Sequence, residues 1–360
     1  MEEFSCKTKI LAGNGILGEL GNLGAKRLFL VTDPFFAKNG TAQRLAELAG
    51  AEHVEIFDRV TPDPSVTLAA EGAARFRSFR PDLLVALGGG SAMDCAKAIG
   101  YFGGGDYLLA AVPTTSGSGS EVTDFAILTH DGVKHPLVDE KLRPDLAILD
   151  GDLLKQLPRG LIADSGFDVL AHALEACAAT GGGSMTDCLA RESARMVFEA
   201  LPGSFSGDIS QRLNMHKAAC MAGLAFTQAG LGLCHALAHA LGGAFHVPHG
   251  RLNAVLLPAV LMANTSAAGK KYAELARSAG MDASSDTMAV RELKNRLVKL
   301  RRQLELPATL AEAGVNMEEF RRKEQKILEA ALADPCCRTN PVKVDTHLVR
   351  QILGEVAGRG

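Results

Sequence analysis

This sequence has no long run of like charge, no C-x-x-C spacing, no H-E-x-x-H motif, no Pro/Ser-rich linker and no internal repeat. Lys and Arg total 38 against 41 Asp and Glu, for a net charge of −3, so no nucleic-acid or anionic-membrane surface is suggested. No stretch reaches the ~20 apolar residues of a membrane helix, and the start, Met1-Glu-Glu-Phe-Ser-Cys-Lys7, has neither a basic nor an apolar leader region, so a soluble, cytoplasmic protein is expected. The eight cysteines lack disulfide-framework or zinc-finger spacing and read as reduced thiols, mostly buried. Absence of H-E-x-x-H argues against a metalloprotease.

The 360 residues are enough for about two domains, and two kinds of periodicity are present. In the first half, apolar β-branched runs at 26–33, 53–57, 82–87, 107–112 and 146–150 alternate with helical stretches at 41–49, 66–79 and 92–101. That alternation predicts a parallel sheet with helices on both faces, interrupted by a hairpin that turns at Asp131-Gly132. From about Leu153 the strand signals stop and Ala/Leu-rich helical segments follow at 166–179, 186–200, 211–227, 233–241, 254–264, 270–279 and 287–304. The expected architecture is an α/β dinucleotide-binding domain, 1–152, and an all-helical metal and substrate domain, 153–360, with a ligand cleft at their join.

Two glycine-rich segments compete for cofactor phosphates. Gly13-Asn-Gly15-Ile-Leu-Gly18 satisfies G-x-G-x-x-G, but a lone match is weak and reads better as a turn between an edge strand and a surface helix. Gly88-Gly89-Gly90-Ser91 closes an apolar strand and opens a helix, where amides without a Cβ in front of them and the helix dipole suit a pyrophosphate. Pro113-Thr-Thr-Ser-Gly-Ser-Gly-Ser120 follows the next strand with hydroxyls dense enough for a ribose or phosphate. Asp33, ending the strand at 26–32, fits either a ribose 2′-OH acceptor or a turn former.

Ten histidines are present, four of them clustered as His235, His239, His246 and His249. His235 and His239 are i, i+4 on one helix face; Gly242-Gly243 is expected to end that helix and let His249 fold back. Asp168 and His172 repeat the i, i+4 spacing on another helix, so neutral imidazoles and a carboxylate point to Fe(II) or Zn(II) with room for a substrate oxygen. His246 reads as structural or cleft-lining, and His53, His130, His216 and His347 as surface residues. The metal helices carry no Lys or Arg between 168 and 178 or between 231 and 245, which favours a small uncharged substrate.

These segments, with Lys134-His-Pro-Leu-Val-Asp139, Pro144-Asp-Leu-Ala-Ile-Leu-Asp150 and Gly166-Phe-Asp-Val-Leu-Ala-His-Ala-Leu-Glu175, resemble the iron-containing (group III) alcohol dehydrogenase family. Within it, Ala225-Phe-Thr-Gln-Ala-Gly-Leu-Gly232, Ala330-Ala-Leu-Ala-Asp334 and Arg338-Thr-Asn-Pro341 are most similar to propanol dehydrogenases of bacterial propanediol utilisation. The resemblance implies the following roles: Asp168, His172, His235 and His249 as metal ligands, and His239 as proton relay. It also implies Gly89, Gly90 and Ser91 as the pyrophosphate loop; Thr114, Thr115, Ser118 and Lys134 as cofactor contacts; and Asp33 as the ribose acid. On that basis Gly13 to Gly18 is a turn. The family's Fe2+ (or Zn2+) and NAD(H), a small alcohol or aldehyde, a homodimer and association with an enzyme assembly or microcompartment are expected. A glycerol or 4-hydroxybutyrate dehydrogenase and a silent scaffold protein are the rival readings. Asp164-Ser165-Gly166-Phe167 departs from the family by adding a carboxylate one turn before Asp168.

Overall fold

The computed structural model describes residues 3–131 and 133–357 and divides into two compact units, Ser5–Gln156 and Leu157 onward. In the first unit the chain runs β1 (Lys9–Gly13), β2 (Arg27–Thr32), α1 (Pro34–Lys38), α2 (Thr41–Ala49), β3 (His53–Phe57), α3 (Val66–Phe79), β4 (Leu83–Gly88), α4 (Gly90–Gly103), β5 (Leu108–Pro113), β6 (Phe125–His130), β7 (Val133–Val138) and β8 (Leu146–Asp150). Six strands form one parallel sheet in the order β1-β8-β5-β4-β2-β3, and β6 pairs antiparallel with β7. The hairpin's Gly132 lies outside the described residues, and its neighbour Asp131 adopts φ 49°.

Alternation along β2 and β4 sorts the core onto two faces. Leu28, Leu30, Leu83, Val85 and Leu87 pack with Ala42 and Leu45 of α2, while Phe29, Val31, Leu84 and Ala86 pack with Phe76 of α3 and with α4. The crossover after β2 therefore covers one face and the crossover after β4 the other, so the carboxyl ends of these neighbouring strands form the topological switch point where open α/β sheets bind ligands.

The second unit is helical: α5 (Arg159–Ala178), α6 (Ser184–Phe205), α7 (Arg212–Ala229), α8 (Leu233–Phe245), α9 (His249–Ser278), α10 (Asp286–Gln303), α11 (Met317–Ala333) and α12 (Thr346–Val356). Helix α5 is buried along most of its length against α6, α7 and α9. Several expectations are corrected. The segments at 254–264 and 270–279 fall in one 30-residue helix that runs unbroken through 265–269, where the Thr265 hydroxyl donates to the Leu261 carbonyl. Gly242 and Gly243 lie inside α8, which ends only at His246, a residue in the left-handed region (φ 55°) whose N–H donates to the Gly242 carbonyl. His216 is buried on α7, which packs against both α5 and α6. Helices α11 and α12 carry capping residues, Asn316 and Asp345, that the sequence reading passed over. Helix α9, and α7 with α8 taken as one bent pair, are long and apolar enough to cross a membrane, but 67% of the α9 window is buried inside the protein.

Candidate metal centre and nucleotide loops

The turn of the helix period places Asp168, His172 and Glu175 on one face of α5, at i, i+4 and i+7. Against this face comes the start of α8. The segment Ile209–Ala229 and α8 meet at 102°, and the corner rests on Gly230, whose φ of 83° suits glycine and whose Cβ position is filled by the Thr339 side chain. Donor atoms of Asp168, His172 and His235 all lie within 4.8 Å of one another. His249, the first residue of α9, brings Nε2 to 3.5 Å from Asp168 Oδ1, and His235 Nε2 stands 3.8 Å from the same oxygen. The rings stack as well, with His172 and His235 centroids 4.6 Å apart.

Glu175, 3% exposed, fixes the orientation of this set. The backbone amides of Gly232, Cys234 and His235 donate to its carboxylate at 3.0, 2.7 and 3.3 Å, and the ring Nδ1 of His235 lies 2.6 Å from Oε2. A carboxylate only accepts, so Nδ1 carries the proton and Nε2 presents a lone pair. That Nε2 is buried and has no hydrogen-bond partner among the described residues. Buried polar atoms are rarely left so, and an orphan facing a carboxylate and two further imidazoles fits a divalent cation. Asn253, one turn after His249, donates to Asp168 Oδ1 at 2.7 Å.

Burial and neighbouring charges act on each member of the set. Burial would raise the Asp168 carboxyl, but His172, His249, His235 and the Asn253 amide pull it below its usual value. Burial also works against protonating His235, yet the Glu175 hydrogen bond and the charges of Glu175 and Asp168 raise it from its ordinary value. His249 is driven well below its ordinary value by burial, which Asp168 opposes and His239, His235 and His172 reinforce. Asp164, the departure noted in the sequence, spends its charge on Arg251: both oxygens accept from the guanidinium, at 3.2 and 3.0 Å. Gly250 must be glycine, since a methyl there would run into the Asp164 carbonyl oxygen.

His239 sits one turn beyond His235, half-exposed, its ring stacked 5.2 Å from that of His249. Its Nδ1 lies 2.9 Å from Asp334 Oδ2. Glu175, Asn253, Arg251 and Asp334 were not assigned in the sequence reading; of these, Glu175 and Asn253 had a signal, since each shares a helix face with a metal-set residue.

In the sheet unit, Gly88 leaves β4 at φ 150°, Gly89 caps α4, and the amides of Gly90 and Ser91 belong to the first turn, where a helix offers them no acceptor. The segment after β5 lies alongside: Thr114 N–H donates to the Gly88 carbonyl at 2.9 Å, and Cβ atoms built on Gly89 and Gly90 would approach Thr115 Oγ1 at 3.1 Å and Ser118 Cβ at 3.2 Å. Asp33, at the end of neighbouring β2, caps α1 by accepting from the Phe35 and Phe36 amides, and its second oxygen is 3.9 Å from the Cβ position of Gly88. Both functions considered for Asp33 are thus compatible, because capping occupies only Oδ1. Lys134, on the hairpin strand β7, pairs with Asp63 at 2.7 Å, and its charge also acts on the buried Asp94 carboxyl of α4. The Gly13–Gly18 segment is a turn whose Gly15 and Ile16 amides are already taken by the Asp150 carboxylate.

Comparison with known proteins agrees with this chemistry. Residues 7–151 match the iron-containing alcohol dehydrogenase family and residues 162–357 its C-terminal domain. The chain is 39% identical to a 1-propanol dehydrogenase of Citrobacter freundii, across 99% of this chain and 100% of the relative. It is 35% identical to an NADPH-dependent butanol dehydrogenase of Clostridium saccharobutylicum, across 98% and 97%. Among solved structures, an iron-containing alcohol dehydrogenase from Thermococcus thioreducens superposes with a TM-score of 0.92 at 33% identity, covering 99% and 100% of the two chains. A sulfoacetaldehyde reductase from Bifidobacterium kashiwanohense in complex with NAD+ gives 0.90 at 26%, covering 100% of both. Full-length identity at this level, joined to a parallel sheet followed by a helical unit with a buried imidazole and carboxylate set, makes the chain a member of the iron-containing alcohol dehydrogenase family, an oxidoreductase that interconverts alcohols and aldehydes with iron(II) and NAD(H).

Proposed function

We propose that the preferred substrates are short primary alcohols and aldehydes of about two to four carbons, 1-propanol and propionaldehyde first among them, with NAD(H) favoured over NADP(H). The observation that carries this reading is the donor set on α5, α8 and α9, with His235 Nε2 left unpartnered beside Asp168. Asp168, His172, His235 and His249 would hold the iron, which when bound would supply Lewis acidity toward the substrate oxygen, and the nicotinamide cofactor would supply the hydride chemistry. Glu175 and Asn253 hold the ligating atoms in place. His239, with Nδ1 committed to Asp334, keeps Nε2 available to take the hydroxyl proton during oxidation and return it during reduction. Gly89, Gly90 and Ser91 offer amides to the pyrophosphate; Thr114, Thr115 and Ser118 offer contacts to the rest of the cofactor. Asp33 accepts from the ribose 2′-OH and repels a 2′-phosphate. Lys134 reaches the ribose or phosphates only after exchanging its Asp63 partner.

A substrate bearing a carboxylate or phosphate calls for a free cation, and the Arg251 guanidinium beside the metal helices is already held by Asp164. That favours an uncharged substrate over a hydroxy acid. A homodimer that works in the cytoplasm or within a microcompartment completes the proposed reading.

The test is NADH oxidation by anaerobically iron-loaded enzyme over an aldehyde series from C2 to C6. Efficiency should climb by about fourfold per methylene, for ~0.8 kcal/mol each, and then drop once the pocket is full. A flat series, or a strong preference for glycerol or 4-hydroxybutyrate, overturns the substrate assignment.

A further inference from the structure

A second cluster of ligating atoms lies one helical turn from the first. His239 on α8, with Asp334 and Cys336 at the start of the turn Pro335–Thr339, bring an imidazole nitrogen, a carboxylate oxygen and a sulfur within 4.8 Å of one another. We propose that these three residues form a second divalent-metal site, selective for zinc(II), separate from the Asp168, His172, His235 and His249 set.

The donor types decide the metal. Nitrogen, oxygen and sulfur together suit borderline-soft Zn(II), which takes tetrahedral sites with three protein ligands and an open fourth position. The first set has no sulfur and is the harder of the two. Geometry is near what zinc needs: His239 Nδ1 and Asp334 Oδ2 are already 2.9 Å apart, and the hydrogen bond between them is replaced when an ion enters. Asp334 is held in place from behind, its Oδ1 accepting from the Cys336 amide at 2.8 Å, so carboxylate and sulfur are presented by one rigid turn. The His239 side chain is 36% exposed, which gives the ion a way in from solvent.

The surroundings favour a cation. Burial raises the Cys336 thiol far above its ordinary value, and the charges of Asp334 and Glu175 raise it further. Asp334 has no ion-pair partner but His239 among the described residues. A divalent ion reverses this field, so the thiol loses its proton to solvent as the metal–sulfur bond forms, while the imidazole stays neutral and shifts its one ring proton from Nδ1 to Nε2 so that Nδ1 can coordinate. Binding therefore releases protons and tightens as pH rises. It also removes His239 from proton transfer, a consequence that rests on the role proposed for that residue above. Zinc at this site then inhibits the iron enzyme without displacing iron.

Cobalt(II) is the probe, because a thiolate ligand gives it a near-ultraviolet charge-transfer band that nitrogen and oxygen ligands do not. Metal-free full-length protein titrated with cobalt should bind a second equivalent with that band. Cys336→Ser should abolish the band and weaken zinc binding at this site by at least about tenfold, the scale on which ligand changes move affinity. Cys337→Ser, which alters the neighbouring thiol, should keep both. His249→Ala should keep the band while losing the other equivalent, which separates this proposal from the assignment of the first set. No thiolate band in the wild-type protein, or a band lost with Cys337→Ser but not with Cys336→Ser, overturns the second site.

Discussion

Glu175→Ala should destabilise the helical unit more than loss of any one metal ligand. The change strips the acceptor from three backbone amides and from the His235 ring, all buried at the start of α8. A buried donor left unpaired costs about 1–3 kcal/mol, and breaking a buried charged network costs about 3–5 kcal/mol. Water entering the space of the lost carboxylate restores part, so about 4 kcal/mol is the expected net loss, against about 5–15 kcal/mol for a whole domain. Glu175→Gln keeps the shape and one acceptor oxygen but turns an amide N–H₂ toward donors, for about half that loss. The assay is urea unfolding of chelator-treated protein followed by far-ultraviolet circular dichroism, reading the transition that added metal shifts. With a slope of about 2 kcal/mol/M, the midpoint should fall by about 2 M for Ala and about 1 M for Gln. Metal affinity should drop by about 10- to 100-fold, because nothing then selects the His235 tautomer. A midpoint within about 0.5 M of wild type together with unchanged metal affinity would refute the reasoning.

Asp33→Ser removes the charge but keeps a capping oxygen for α1, so the preference for NADH over NADPH should shrink by at least about tenfold without loss of stability, as steady-state kinetics with both cofactors would show; an unchanged ratio rules Asp33 out as its source. His249→Ala should abolish stoichiometric iron binding, measured by metal analysis, while leaving the far-ultraviolet spectrum intact; retained iron would remove His249 from the ligand set. Gly250→Ala drives a methyl against the Asp164 carbonyl and should move the start of α9, lowering iron affinity and the thermal midpoint together. Glu121 is buried, and desolvation, only partly offset by Lys97, raises its carboxyl to about 7. An acid raised in the folded state loses stability as pH climbs from its unfolded value toward its folded one. Wild-type stability relative to Glu121→Gln should therefore fall between about pH 4.5 and 7, by about 3 kcal/mol at ~1.36 kcal/mol per unit; parallel profiles would show that Glu121 stays charged throughout.

The parallel strands were legible because each is a short apolar run closed by a turn, and the i, i+4 pairs because helix period is local. What escaped the sequence depends on distant partners. Glu175 meets the start of α8 across some sixty residues, and its partners are backbone amides that no side-chain motif reports. His216 reads as polar, yet it is buried where α7 packs between two helices. The glycines at 242 and 243 look like a stop signal, but α8 runs on to Phe245 and stops at a left-handed histidine. Asn316 and Asp345 were readable caps; α11 is strongly charged and α12 is only eleven residues long.

The same dependence on distance sets an order of events during synthesis. The Leu233 amide at the start of α8 donates to Asn340 Oδ1, and Asn340 also exchanges a pair of hydrogen bonds with Asn264. The neighbouring Thr339 hydroxyl donates to the Leu231 carbonyl. A nascent chain that has passed His249 holds every residue of the first metal set, but some ninety residues must still emerge before the corner that aims His235 can close. Iron capture is thereby tied to a chain that has passed residue 340, and fragments ending before it should leave the ribosome with the ligands in sequence but not in register.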